Sequence, residues 1–180
     1  MQGPSTLEHR SKLVKMSKFL LIKKRIKKFD SKISVAGDKS LSIRSLLLAS
    51  QAAGKSKVFN LLMSEDVIAT LNSIKKLGIK VFVYKKYCEI FGNGINGFKF
   101  KKNLIINAGN SGTFGRLILG LLIKSPHKIK LIGDKSLSKR DFSRVMLPLE
   151  KFGAKFYYKK KNMLPLSILG SQSVQGIRYL

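Results

Sequence analysis

The sequence predicts an α/β (α+β) domain, and three observations carry that reading. Apolar runs of strand length alternate with longer runs whose apolar residues recur at helical spacing. The succession strand, helix, strand, helix, strand, strand occurs twice, in units of ~75 residues. A similar junction also closes the second helix of each unit. It reads Ile74-Lys75-Lys76-Leu77-Gly78-Ile79-Lys80-Val81 in one and Leu149-Glu150-Lys151-Phe152-Gly153-Ala154-Lys155-Phe156 in the other. A chain of 180 residues is long enough for one domain that buries about 70% of its unfolded surface.

The elements follow in order. Lys32-Ile33-Ser34-Val35 alternates and predicts a short strand, after a basic leader spanning 1–31. Ser40 to Ala53 predicts a helix with Ser40 or Ser42 as N-cap and Gly54 as its stop. Val58 to Leu62 is strand-like. Ser64-Glu65-Asp66 starts a helix with both acids where the macrodipole favours them, and Val67, Ile68, Leu71, Ile74 and Leu77 form its apolar stripe. Ile79 to Tyr84 and Cys88 to Phe91 complete the first unit, before the turn residues Gly92-Asn93-Gly94. In the second unit Leu104–Ile106 predicts a strand and Phe114–Ile123 a helix. Lys128–Ile132 predicts a strand, Ser138–Phe152 a helix and Lys155–Tyr158 a strand.

Composition narrows the classes. A hydrophobic fraction of 44% excludes a disordered chain, although 36 Lys+Arg against 9 Asp+Glu give a net charge of +27. That charge suits polyanions or small anionic substrates. The lysines are spread along the chain, so nucleic acid stands as a rival partner resting on charge alone. The single cysteine, Cys88, rules out an internal disulfide and fits a packed strand residue. No apolar run approaches the ~18 residues of a membrane span. Phe19-Leu20-Leu21-Ile22 is too short for a signal core, and Met16 is a second candidate start. His9 and His127 are isolated, so no metal site is expected.

Chemistry concentrates at three helix starts. Gly37-Asp38-Lys39-Ser40-Leu41-Ser42-Ile43-Arg44 places two cations and two hydroxyls where unpaired N–H groups and the helix dipole favour an anion. Asn110-Ser111-Gly112-Thr113 with Arg116 offers main-chain donors with little side-chain bulk. The third start holds Lys139-Arg140, inside a second Gly-Asp-Lys-Ser-Leu-Ser-x-Arg octad running from Gly133 to Arg140. The two octads fall at different places in the two units, so they reflect like chemistry or coincidence rather than the unit repeat. Neither a Walker A loop nor a dinucleotide fingerprint is present, since no helix-forming sequence follows Gly92-x-Gly94-x-x-Gly97.

Together these segments resemble the 5-enolpyruvylshikimate-3-phosphate synthase (3-phosphoshikimate 1-carboxyvinyltransferase) family. The matching stretches are GDKSLSIRSLLLA (37–49), NLLMSEDVIATLNSIKKLGI (60–79), NAGNSGTFGRLILGLL (107–122), GDKSLSKRDFSRVMLPLEKFGA (133–154) and LPLSILG (164–170). The resemblance implies an inside-out α/β barrel of repeated βαβαββ units, with about two of them in a partial enolpyruvyl transferase domain spanning 32–180. It implies that Lys39, Ser40 and Arg44 bind shikimate-3-phosphate. Lys39, Gly112 and Arg140 would bind phosphoenolpyruvate, with Asn110, Thr113 and Arg116 in support. It further implies a cytoplasmic enzyme without cofactor or metal, monomeric at full length, with neither membrane nor nucleic acid as partner. The sister family acting on UDP-N-acetylglucosamine is the alternative; Ser40 and the Asn-Ser-Gly-Thr turn favour the shikimate enzyme. The carboxylates that do acid/base work in the family have no counterpart among these residues. An N-terminal fragment that binds but does not turn over is therefore expected. Asp141 stands where family members usually carry proline.

Overall fold

A computed structural model describes residue 30 and residues 32–179. Met1–Ser34 and Val35–Leu180 separate as two units. Apart from Asp30, the basic leader lies outside the described residues, as do both candidate starts, and the described part of the first unit has no regular secondary structure.

In the second unit the elements run α1 (Lys39–Gln51), β1 (Ala53–Phe59), α2 (Glu65–Lys76), β2 (Lys80–Val83), β3 (Tyr87–Asn93), β4 (Ile105–Asn107), α3 (Gly112–Leu121), β5 (Ile129–Ile132), a 3-10 turn (Leu137–Lys139), α4 (Ser143–Lys151), β6 (Lys155–Tyr158) and β7 (Leu166–Leu169). From β4 to β7 the order is βαβαββ, as the sequence predicts. The earlier half runs αβαββ, because 32–38 contain no strand. There the Val35 carbonyl accepts from the Asn60 side-chain amide at 3.3 Å instead of entering a ladder. Gly37 also lies so close to the next loop that a Cβ would stand 2.1 Å from the Asn60 carbonyl oxygen.

Three further boundaries differ from expectation for identifiable reasons. The N-cap of α1 is Asp38, whose carboxylate accepts from Leu41 N at 2.7 Å. The Ser42 hydroxyl is instead occupied, donating to the Asp38 carbonyl at 2.7 Å and accepting from Leu62 N at 3.0 Å. β1 begins at Ala53, within the predicted helix end, because Ala53 through Phe59 pair antiparallel with Asn93 through Tyr87. The Ser138–Phe152 helix is really two pieces. Arg140 is extended (φ −82°, ψ 145°) after the 3-10 turn, and α4 starts only at Ser143.

β1, β3 and β2 form an antiparallel sheet in the order β1-β3-β2. The other sheet is ordered β4-β5-β7-β6, with β4 and β5 parallel and the remaining pairs antiparallel. One apolar core joins both halves, including Ile43, Leu46, Ile74, Ile90, Phe114, Ile118 and Ile129, all buried. Each such side chain stabilises the fold by about 1.5–3 kcal/mol. α1 packs against α2 and α3, and α3 against α4. Each sheet meets these helices with one face and turns alternate residues outward, as β5 illustrates with Ile129 and Leu131 buried and Lys130 exposed. Helices inside and sheets outside are what the sequence resemblance implied. Cys88 is buried, and burial raises its thiol pKa, so it packs instead of reacting.

Among the described residues no helix is long and apolar enough to cross a membrane. No group of three or more His, Cys, Asp or Glu could hold a metal ion there.

Candidate anion site

The two octads build the same turn. In the first, Asp38 accepts from Leu41 N at 2.7 Å; in the second, Asp134 accepts from Leu137 N at 2.6 Å. In both, the N–H four residues on closes onto the aspartate carbonyl, Ser42 to Asp38 at 3.0 Å and Ser138 to Asp134 at 2.9 Å. An aspartate that caps the third following N–H explains why Gly-Asp-Lys-Ser-Leu-Ser recurs. The first turn runs on into α1, whereas the second stops after one 3-10 turn and delivers Arg140 in an extended segment.

That delivery brings Arg140 onto Asn110 and beside Gly112. Arg140 Nη2 donates to Asn110 Oδ1 at 3.1 Å, and Asn110 Nδ2 donates to Asp134 Oδ2 at 2.6 Å. Arg116 Nη1 lies 3.4 Å from the Gly112 carbonyl oxygen, and its Nη2 is 3.3 Å from the Asp141 carbonyl oxygen. Its guanidinium also lies over the Phe142 ring, 5.2 Å from the centroid. Gly112 sits between the two cations. A Cβ there would stand 2.8 Å from Arg116 Nη1 and 3.1 Å from Arg140 Nη1. Glycine thus opens a notch bounded by two guanidinium forks at the first residue of α3, whose N-cap Ser111 accepts from Phe114 N at 3.2 Å. Forks and an N-terminal dipole together favour a carboxylate or phosphate.

Two aspartates flank the notch and remain ionised. Asp134 is held below the usual carboxylate range chiefly by the Asn110 amide, then by the Leu137 and Ser136 N–H groups, with the Arg140 charge contributing. Asp141 is lowered first by the Ser143 hydroxyl, then by the Ser143 N–H, with Arg116 and Arg144 adding to the effect. The Asp141 carboxylate accepts from Ser143 N, satisfying the first N–H of α4 from the place where the sequence resemblance leads one to expect proline, while Phe142 is the N-cap residue. Folded values below the ordinary range mean that both groups stabilise the fold above that range and lose the contribution as pH falls through the lowered values.

Lys39 stands apart from this cluster. Its ammonium pairs with the largely buried Asp66 in the first turn of α2, Nζ to Oδ2 at 2.9 Å. Ser40 is half-buried and Arg44 exposed on α1. Arg44 lines an open groove with Leu47, Leu48, Leu117 and Leu121, beside the same helix that carries Gly112 and Arg116. Thr113 is half-buried in the first turn of α3. Neither Ser40 nor Thr113 has a side-chain contact that ties it to the notch. The residues the sequence reading missed are Asp38, Asp66, Asp134 and Phe142. The aspartate shared by both octads was a readable sign of the caps; Asp66 and Phe142 meet their partners only through tertiary packing.

Interior helices between outward-facing sheets define an α/β protein of repeated units, and the guanidiniums gathered about a glycine at a helix start are its candidate anion site. The family model for EPSP synthase (3-phosphoshikimate 1-carboxyvinyltransferase) matches residues 23–180. The chain belongs to this family. It is 40% identical over 164 residues to 3-phosphoshikimate 1-carboxyvinyltransferase of Ruthia magnifica, covering 91% of this chain and 37% of that protein. It is 36% identical over 148 residues to the protein of the same name from Streptococcus mutans, covering 82% of this chain and 34% of the relative. A solved EPSP synthase from Acinetobacter baumannii superposes with a TM-score of 0.75 at 36% identity, over 83% of this chain and 34% of that one. The chain therefore spans about a third of the length of the relatives it matches.

Proposed function

We propose that this chain, 32–180 being its partial enolpyruvyl transferase domain and 1–31 a basic leader, supplies the cationic wall of a 3-phosphoshikimate 1-carboxyvinyltransferase. In that reaction the enolpyruvyl group of phosphoenolpyruvate passes to a hydroxyl of shikimate-3-phosphate and phosphate leaves. The observation that carries the reading is the Gly112 notch between Arg116 and Arg140, braced through Asn110 and Asp134. Arg140 and the Gly112 main chain receive phosphoenolpyruvate there, with Asn110, Thr113 and Arg116 fixing the guanidinium positions. Lys39, Ser40 and Arg44 receive shikimate-3-phosphate, and Lys39 also reaches phosphoenolpyruvate. Binding then requires Lys39 to exchange its Asp66 partner for substrate oxygens.

Acid/base work needs a carboxyl group with a pKa near the working pH. Asp134 and Asp141, the two acids beside the notch, have lowered pKa values, so neither is suited to carry a proton in turnover. The chain thus binds without catalysing. The complete enzyme is read as cytoplasmic, monomeric and free of cofactors.

Calorimetric titration of the chain with shikimate-3-phosphate and phosphoenolpyruvate tests this reading. Each charge-assisted hydrogen bond is worth about 1.5–3 kcal/mol. Arg44→Ala should therefore weaken shikimate-3-phosphate binding, and Arg140→Ala phosphoenolpyruvate binding, by tenfold or more, with phosphate release at background throughout. Unchanged affinities in both variants, or turnover by the native chain, would overturn the proposal.

A further inference from the structure

The outward face of the β1-β3-β2 sheet carries a second site that the anion notch does not explain. Antiparallel register fixes what lies there. Lys55, Lys57 and Phe59 of β1 oppose Phe91, Glu89 and Tyr87 of β3. Lys80 and Phe82 of β2 oppose Phe91 and Glu89 from the other side. Tyr84 follows at the strand end, where its N–H reaches the Tyr87 carbonyl at 2.9 Å. The alternate residues, among them Val81, Cys88 and Ile90, point into the core. A solvent-facing sheet surface is ordinarily polar, yet this one presents five aromatic rings, with Phe59 63%, Tyr84 47% and Phe82 41% exposed.

The rings are ordered rather than scattered. Tyr84 stacks on Tyr87 with centroids 4.7 Å apart, and Phe59 lies 5.6 Å from Tyr87 on the other side. Phe82 meets Phe91 edge-on at 5.9 Å. Cations accompany them: Lys57 is 5.0 Å from the Tyr87 centroid, and Lys80 is 5.1 and 5.6 Å from those of Phe82 and Phe91. Among the described residues Glu89 is the one acid on this face, and it already has Lys55 and Lys57 at 3.5 Å. Lys85 and Lys86, exposed at the β2–β3 turn, extend the basic margin beside Tyr84.

We propose that this face binds single-stranded nucleic acid. Exposed rings on an antiparallel sheet accept unpaired bases by stacking, and adjacent lysines follow the phosphates. Charge alone would suit any polyanion, and in a chain of net charge +27 that signal is diffuse. The ordered rings select a ligand that has both phosphates and flat apolar faces. The site shares no residue with the anion notch, so it stands whether or not the chain serves in enolpyruvyl transfer.

The test uses the full 180-residue chain and two probes of matched charge, a labelled oligouridylate of about 12 nucleotides and inorganic polyphosphate, which has no bases. Phe59→Ser with Tyr84→Ser removes two exposed rings and leaves the charge unchanged. The oligonucleotide should bind native chain at least tenfold more tightly than the variant, while polyphosphate affinity changes less than twofold. The oligonucleotide, and not polyphosphate, should also quench tyrosine fluorescence of the native chain. Equal oligonucleotide affinity in variant and native chains would overturn the proposal. If the variant fails to fold by circular dichroism, the quenching comparison on native chain decides, and equal or absent quenching by the two probes overturns it.

Discussion

At the scale of single residues, the notch at Gly112 separates stability from binding. The atoms that a Cβ would crowd are guanidinium nitrogens, the far ends of two flexible side chains, and not backbone. Gly112→Ala should therefore leave the fold nearly as stable, because Arg116 and Arg140 can swing aside. It should nonetheless weaken phosphoenolpyruvate binding, since a displaced fork loses directional hydrogen bonds worth about 1.5–3 kcal/mol each. Thermal melting should shift by less than ~2 °C, within the scale of a few tenths of a kcal/mol, while the titrated affinity falls about tenfold or more. A large loss of stability with affinity retained would show that Gly112 serves the packing of α3 instead. The notch was half legible beforehand. Small residues before a helix announce main-chain donors, but only the folded chain places Arg140, from a distant turn, beside Asn110.

At the scale of elements, local chemistry was readable wherever it was self-contained, and obscure wherever a distant partner decided. β6 was read at its observed bounds, Lys155–Tyr158, and α3 to within two residues at each end, because their patterns are complete within a few residues. β1 was shifted because Ala53-Gly54-Lys55-Ser56-Lys57 is polar, and only pairing with β3 makes it a strand. Ser42 is the sharpest instance. The sequence offers it as a cap, but its buried hydroxyl joins the Asp38 carbonyl to the Leu62 N–H, fastening α1 to the loop after β1. Ser42→Ala leaves the half-buried Leu62 donor without its partner, a loss of about 1 kcal/mol. The urea midpoint should fall accordingly, and amide exchange at Leu62 should accelerate more than at residues of β6. A midpoint unchanged by the substitution would mean that Leu62 N finds another acceptor.

At the scale of the whole molecule, the inside-out arrangement fixes where apolar surface remains open. Helices that sit between sheets need apolar side chains on more than one face, as α1 shows by burying Ile43, Leu46, Leu47 and Ala49. Its remaining face still carries Leu48, 73% exposed, and α3 contributes Leu117, 40% exposed, to the same groove as Arg44. Among the described residues nothing covers this stripe. An apolar groove of this kind takes up a hydrophobic dye without any loosening of the fold. The chain should therefore enhance the fluorescence of anilinonaphthalene sulfonate while its near-ultraviolet dichroism stays that of an ordered protein. Leu48→Gln with Leu117→Gln should reduce the enhancement by more than half and leave helicity intact, because neither side chain belongs to the buried core. Arg44 adds a cation at the groove's edge, so the sulfonate should also bind more weakly to Arg44→Gln. Dye enhancement that survives all three substitutions would place the dye on the exposed rings of the β1-β3-β2 sheet and remove the groove's claim to be its binding site.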